Sequence, residues 1–179
     1  MKKLKNILMI AMLSIAIQAS AQTDKATTIK LVEGKTFVFN ATSANPMNSP
    51  ELNAVFSKMP GAVGGGTIQL AGSRYQLTVD NETVDAYLPY YGRSYNAPKT
   101  PNEGGIKFNS KEFSYKADKN KKGNYVVTIK PADSKGDVLS MTLNITQKGY
   151  AMLSVVSNNR QTITYNGYIS EPAKLASNN

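Results

Sequence analysis

The chain contains no cysteine and no histidine. Without them it cannot build a Cys-His or Ser-His-Asp nucleophile, a zinc site of the usual kind, an iron–sulfur centre or a haem held by an axial histidine. No disulfide can staple the fold, so its stability must come from packing around a conventional core. Any catalysis would fall to carboxylate, lysine, tyrosine or serine side chains. Internal repeats and long low-complexity tracts are also missing.

Long apolar runs are scarce. The stretch from Ile7 to Ile17, broken only by Ser14, falls short of the roughly 20 residues that a membrane-spanning helix needs. It follows Lys2, Lys3 and Lys5 and precedes Ala19-Ser20-Ala21, the three-part plan of a secretory signal peptide. Cleavage after Ala21 is expected, with a mature chain that starts at Gln22. No cysteine follows the run to carry a lipid, so the expected location is periplasmic or secreted, with no integral span after cleavage. Residues 22–172 are the size of one domain and can bury a core; 173–179 form a polar tail.

Charge is moderate. The chain has 21 basic and 12 acidic residues, and setting aside the three signal-segment lysines leaves 18 against 12. The basic residues are spread along strands and turns, dense only from Lys119 to Lys122, which reads as a solvated turn. A nucleic-acid surface would cluster them, so no nucleic-acid partner is expected.

Periodicity carries the fold. Asp24, then Ala26, Ile29, Leu31 and Val32, then Gly34 spells a short capped helix. Lys35 to Thr42 alternates as a strand. From Pro46 to Gly66 the chain reads as loop, interrupted by a helix signal at Ser49-Pro50-Glu51 with Leu52, Val55, Phe56 and Met59 at helical spacing. Beyond Gly66 the period is two. Tyr75, Leu77 and Val79 oppose Gln76, Thr78 and Asp80, and Leu139, Met141, Leu143 and Ile145 oppose Ser140, Thr142, Asn144 and Thr146. Turn residues break the pattern at short intervals. The expected fold is mostly β, an antiparallel closed or nearly closed barrel with one or two short helices; a two-sheet sandwich is the alternative.

Three constellations invite a chemical reading and lose it. Asp80, Glu82 and Asp85 are the densest acids, but they span a hairpin turn, where acids are ordinary. Residues 133–137 (Asp-Ser-Lys-Gly-Asp) lack the spaced ligands and distal Glu of a calcium loop. Gly61 to Gly66 lacks the Lys and Ser or Thr of a phosphate loop. No cofactor or metal is expected.

The distinctive segment is Tyr87-Leu88-Pro89-Tyr90-Tyr91-Gly92-Arg93-Ser94-Tyr95, with Gly104-Gly105-Ile106-Lys107-Phe108 beyond it. Four of the ten tyrosines lie here. Tyr offers a large apolar face with a hydroxyl, and Arg93 a planar cation that stacks or clamps an anion. Tyr87, Tyr90, Tyr91, Arg93 and Tyr95 are therefore the ligand-binding candidates, with Arg160 a second cation for the same rim. The competing reading is a rigid corner in which the rings cap the open end of the β core.

The blocks Leu88 to Arg93, Gly104 to Phe108, Gly149-Tyr150-Ala151, Asn159-Arg160-Gln161 and Tyr165-Asn166-Gly167 resemble the signature blocks of the domain-of-unknown-function family 4251, exported proteins of Bacteroides-like bacteria. The resemblance runs from about Ile29 to Ile169. It implies an exported, lipocalin-like β-barrel and carries no activity with it.

Taken together, the residues point to a non-catalytic binding or accessory protein for an unidentified small molecule, lipid or glycan. The alternatives are an envelope or cell-surface interaction module with a protein partner, and a hydrolase built on facing carboxylates.

Overall fold

The computed structural model describes residues 23–47, 54, 58, 62–63, 66–70, 72, 74–96, 104–132 and 137–173. The expected signal segment, most of the helix expected after Pro50, the Gly64-Gly65 connector, residues 133–136 and most of the polar tail lie outside them.

Helix α1 (Lys25–Glu33) starts where Asp24 caps it. One carboxylate oxygen accepts the Thr27 N–H at 2.9 Å and the other accepts the Thr27 hydroxyl, which also draws the Asp24 pKa below its ordinary value. The β-branched Thr27-Thr28 pair is tolerated because both hydroxyls are used locally, that of Thr28 against Thr23 at 2.9 Å. The helix stops at Gly34, yet the residue in the left-handed region is Lys35, with φ 52°. Thr36 N–H donates to the Leu31 carbonyl and Lys35 N–H to that of Val32, closing the helix as a Schellman motif.

Eleven strands follow among the described residues: β1 (Phe37–Pro46), β2 (Ala62–Val63), β3 (Thr67–Gln69), β4 (Gln76–Val79), β5 (Val84–Leu88), β6 (Ile106–Ser110), β7 (Phe113–Lys119), β8 (Tyr125–Pro131), β9 (Val138–Ile145), β10 (Tyr150–Ser157) and β11 (Ile163–Ser170). They form one sheet in the order β6-β5-β4-β1-β11-β10-β9-β8-β7, every neighbouring pair antiparallel, with β3 pairing β1 and β2.

The two ends of that path explain the closure. Alternation along the path makes β6 and β7 run the same way, and only Lys111 and Glu112 separate them. Two residues are far too few for a crossover between parallel neighbours. β7 therefore carries on from β6 after a bend, with β6 paired to β5 and β7 to β8. The wholly buried Ser110 donates its hydroxyl to the Glu112 carbonyl across the bend, at 2.9 Å. In the same way β3 and β4 lie end to end along one edge of β1. Counting each of these two pairs as one stave and setting β2 aside turns the eleven strands into eight staves of a nearly closed barrel. One continuous sheet removes the sandwich alternative.

Eight staves leave an interior just wide enough for side chains to fill or for one small ligand. Here Phe37, Phe39, Leu77, Met141, Leu143, Leu153 and Tyr165 are all fully buried in the core. Helix α1 covers one end. Leu31 and Val32 join the core, Tyr115 OH donates to the Val32 carbonyl at 2.7 Å, and Tyr125 OH donates to Glu33 Oε1 at 2.6 Å.

Two strands depart from the expected pattern, each at a register shift. β1 continues past Thr42 to Pro46 because a bulge between Ala41 and Ser43 resets its inward parity, leaving both Ser43 and Ala44 buried. Leu139, expected inside with Met141, is 48% exposed. The β9–β10 ladder slips between Val156 and Ser157, so Val138 points inward instead. The outer side of this region is unusual in chemistry: the adjacent strands β9, β10, β11 and β1 contain no charged residue, and Leu139, Tyr150, Met152 and Val156 are exposed on them.

Three phenols tie the fold to pH. Burial pushes Tyr125 up to about 12, helped by its bond to Glu33 and that carboxylate's charge. Burial raises Tyr115 and Tyr165 further, with neighbouring tyrosines adding to it. Their folded values lie above the ordinary value of 10.0, so their stabilising contribution is whole below that pH. It is lost as pH climbs through the folded values. The denaturation midpoint is expected to fall from pH 10 upward, with tyrosinate absorbance from these three rising together with unfolding. A midpoint that stays level to pH 12 counts against their burial.

Candidate functional site

The end of the barrel opposite α1 carries the tyrosine-rich segment. Leu88 ends β5 with its side chain in the core, and Pro89, unable to donate to a ladder, starts the loop. Tyr165, buried within β11, donates its hydroxyl to the Pro89 carbonyl at 2.5 Å and so fixes the loop's departure.

Tyr90 is half-buried. Its hydroxyl lies 2.7 Å from the Arg93 carbonyl and 3.1 Å from that of Gln161, so one proton serves two acceptors. Burial raises its pKa, against the lowering effects of the Gln161 backbone and the Arg160 charge. Gly92 is required beneath this ring, because a Cβ there would stand 2.8 Å from the Tyr90 hydroxyl. Arg160 stacks on the ring, its guanidinium carbon 5.2 Å from the centroid.

Arg160 also donates Nη1–H to the Gly105 carbonyl at 2.8 Å, and its Nε stands 3.4 Å from Asp137 Oδ2. Only 14% of its side chain is exposed, against 32% for Asp137. One guanidinium therefore joins the β5–β6 connection, the β10–β11 turn and the start of β9. A bridge between Ser94 and Arg160, with Tyr95 N–H donating to the Asn159 carbonyl at 2.8 Å, completes the junction.

The six candidates divide. Tyr90 and Arg160 meet and are consumed in holding the corner. Tyr91 packs against the core, its pKa raised by burial and by Tyr75 beside it. Arg93 contributes its carbonyl to the corner while its side chain lies at the surface. Tyr95 is 70% exposed beyond the junction.

Tyr87 belongs to a different group, on the outer face of β5. It stacks on Tyr75 with ring centroids 5.7 Å apart and planes 24° apart, and Lys107 Nζ lies over it, 5.0 Å from the ring centroid. The ladder places Lys107 of β6 opposite Tyr87 of β5, and Tyr75 immediately precedes Gln76, the partner of Tyr87 on β4. A cleft of about 240 Å³ opens here, walled by Tyr75, Tyr87, Pro89, Tyr90, Gly105 and Lys107. Gly105 keeps its floor low, since a Cβ would fall 2.8 Å from the Leu88 carbonyl.

Sequence reasoning missed Tyr75 and Lys107, which become neighbours of Tyr87 only once three strands are in register. It also missed Asp137 as the partner of Arg160. Two of the acids considered for catalysis, Asp80 and Asp85, make local hydrogen bonds. Asp80 accepts from Glu82 N–H, Thr83 N–H and the Thr83 hydroxyl, closing the β4–β5 turn. Desolvation raises its pKa and those bonds outweigh it, for a net lowering. Asp85 accepts from Asn109. Among the described residues no group of three acids is placed to hold a metal ion, and no helix is long and apolar enough to cross a membrane.

A family model described as "Domain of unknown function (DUF4251)" matches residues 19–169. A crystal structure of a DUF4251 family protein from Bacteroides eggerthii is similar in fold, with a TM-score of 0.55 and 14% identity. The match covers 86% of this chain and 91% of that one. No curated protein matches.

Proposed function

We propose, from the premise that this chain belongs to the DUF4251 family of domains of unknown function, that it is an exported, non-catalytic binding protein whose ligand docks beside Tyr87. The observation that carries this reading is the outer cleft: three tyrosines and a lysine converge on about 240 Å³ next to a corner that is already rigid. Tyr90, Arg160 and Tyr165 hold the corner, and Tyr75, Tyr87 and Lys107 line the cleft. Shape and chemistry are set before binding, so little ordering entropy opposes it. Export rests on Lys2 to Ala21, which have the basic, apolar and small-residue parts of a signal peptide. An interaction module is the second reading, favoured by the charge-free outer side of β9 to β1 with its exposed Met152 and Val156.

Native mass spectrometry of protein recovered from the periplasm tests these together. The expected chain starts at Gln22 and holds a small molecule that Tyr87→Ala releases. Because Tyr87 is 45% exposed, that substitution is expected to change stability by no more than about 0.5 kcal/mol. A retained small molecule unaffected by Tyr87→Ala sinks the cleft, a retained protein favours the second reading, and an intact N-terminus overturns export.

A further inference from the structure

The ladder on one edge of β1 steps from Leu70 to Tyr75. Leu70 N–H donates to the Thr42 carbonyl at 2.9 Å and Ala41 N–H to the Tyr75 carbonyl at 3.0 Å, so the two halves of the β3/β4 stave resume on either side of the step. A second cleft, of about 530 Å³, opens at that step. Its walls include Asn40, Gln69, Arg74, Tyr75, Gln76 and Tyr168. Tyr75 lines the Tyr87 cleft as well, so the two hollows meet on one ring.

The lining has a definite chemistry. Neither cleft is walled by Asp or Glu among the described residues, while Arg74 stands in one and Lys107 in the other. Among the described residues the side chains of Gln69, Arg74, Gln76 and Tyr168 make no hydrogen bond. Asn40, Thr42, Asn45 and Asn166 nearby all have partners: Asn40 donates to the Ser170 hydroxyl, Thr42 to the Asn166 carbonyl and Asn166 to the Ser43 hydroxyl, while Asn45 accepts from Thr67.

An extended peptide adding to the sheet is excluded, because β1 is already paired on both edges. A lipid chain does not match walls of amides and a guanidinium. A sugar does. Its flat C–H face suits the electron-rich face of Tyr75, carboxamides pair an acceptor and a donor with adjacent hydroxyls, and a guanidinium grips a carboxylate with two parallel hydrogen bonds.

We infer that the two clefts form one groove for an acidic oligosaccharide, in which Tyr75 carries the central ring, Gln69 and Gln76 read hydroxyls, and Arg74 and Lys107 each take a carboxylate at opposite ends. This deepens the binding reading above and rests on it.

Titration calorimetry with tetragalacturonate, an oligoguluronate and a chondroitin tetrasaccharide, each beside its carboxyl-methyl ester, tests the inference. At least one acid is expected to bind about tenfold tighter than its ester, the effect of one charge-assisted contact. Arg74→Gln is expected to reduce that preference to the share that Lys107 carries, and Tyr75→Leu to remove binding of acid and ester alike. Arg74 is exposed, so its variant reports binding free of folding effects; circular dichroism checks Tyr75→Leu. No binding by any acid at millimolar concentration, equal binding of acid and ester, or affinity untouched by Arg74→Gln overturns the inference. A ligand that co-purifies with the protein, is released by Tyr87→Ala and is retained by Arg74→Gln leaves the binding reading standing while this one falls.

Discussion

Gly167→Ala is expected to destabilise the barrel by about 3 kcal/mol or more, the upper range for forcing atoms into a packed interior. Gly167 sits in β11 opposite Ala41 of β1 and Ala151 of β10. A Cβ at this position would land on the Asn40 carbonyl oxygen and press on the Phe39 ring. Neither neighbour can give way. Asn40 is held by ladders on both sides, paired with Tyr168 and Gln76, and Phe39 is fully buried. The close approach lies beside the bulge just beyond Ala41. Urea denaturation measures the loss, and recovery only as insoluble protein is its extreme form. A midpoint within about 0.5 kcal/mol of the parent would mean that the strands stand further apart than described.

Arg160→Ala is expected to cost about 2–4 kcal/mol and to loosen the whole Tyr87 to Tyr95 corner. The pair with Asp137 is partly shielded, with 14% and 32% of the two side chains exposed, so the figure sits below that of a fully buried ion pair. Much of the cost lies in what is left behind. Asp137 Oδ1 is buried and has no hydrogen-bond partner among the described residues, so removing the guanidinium strands a carboxylate. Tyr90 loses its stacking cation and Gly105 its donor at the same stroke. Arg160→Lys is expected to recover little, since one ammonium cannot bond Gly105, face Asp137 and cover the ring together. Asp137→Asn is expected to cost less than Arg160→Ala. Hydrogen exchange at Tyr95 and Gln161, whose N–H groups donate to the Asn159 and Arg93 carbonyls, follows the corner directly, and slow exchange retained in Arg160→Ala would assign the rigidity to Tyr90 and Tyr165.

Period-two patterning made the barrel legible because each strand hides one face. β10 begins and ends where its alternation does, at Tyr150 and Ser157. Asp24 and Gly34 likewise mark the bounds of α1. Alternation stops being informative at bulges, which change parity without changing composition. This is why β1 ran beyond its expected end at Thr42 and Leu139 turned outward. The site was legible only in part for a related reason. Tyr87 to Tyr95 are close in sequence, so their concentration is visible, whereas Lys107 reaches Tyr87 through register and Tyr75 from beside Gln76, the partner of Tyr87. That Tyr90 is used up in the corner depends on a carbonyl 71 residues away, at Gln161.

The pairing of the first long strand with the last has a consequence in time. Asn40 on β1 bonds Ser170 on β11 across 130 positions of sequence, and the whole Phe37–Pro46 strand takes β11 as one of its two neighbours. A ribosome delivers residues in order, at about 5–20 per second, so β1 waits several seconds with that edge bare until the last strand emerges. Local hairpins such as β9–β10 can form meanwhile, but the circle stays open. The loop that must close is nearly the length of the domain, which places folding among the slow, millisecond-to-second class of β topologies. Until Ser170 emerges, the hairpins already formed have no closing partner for β1.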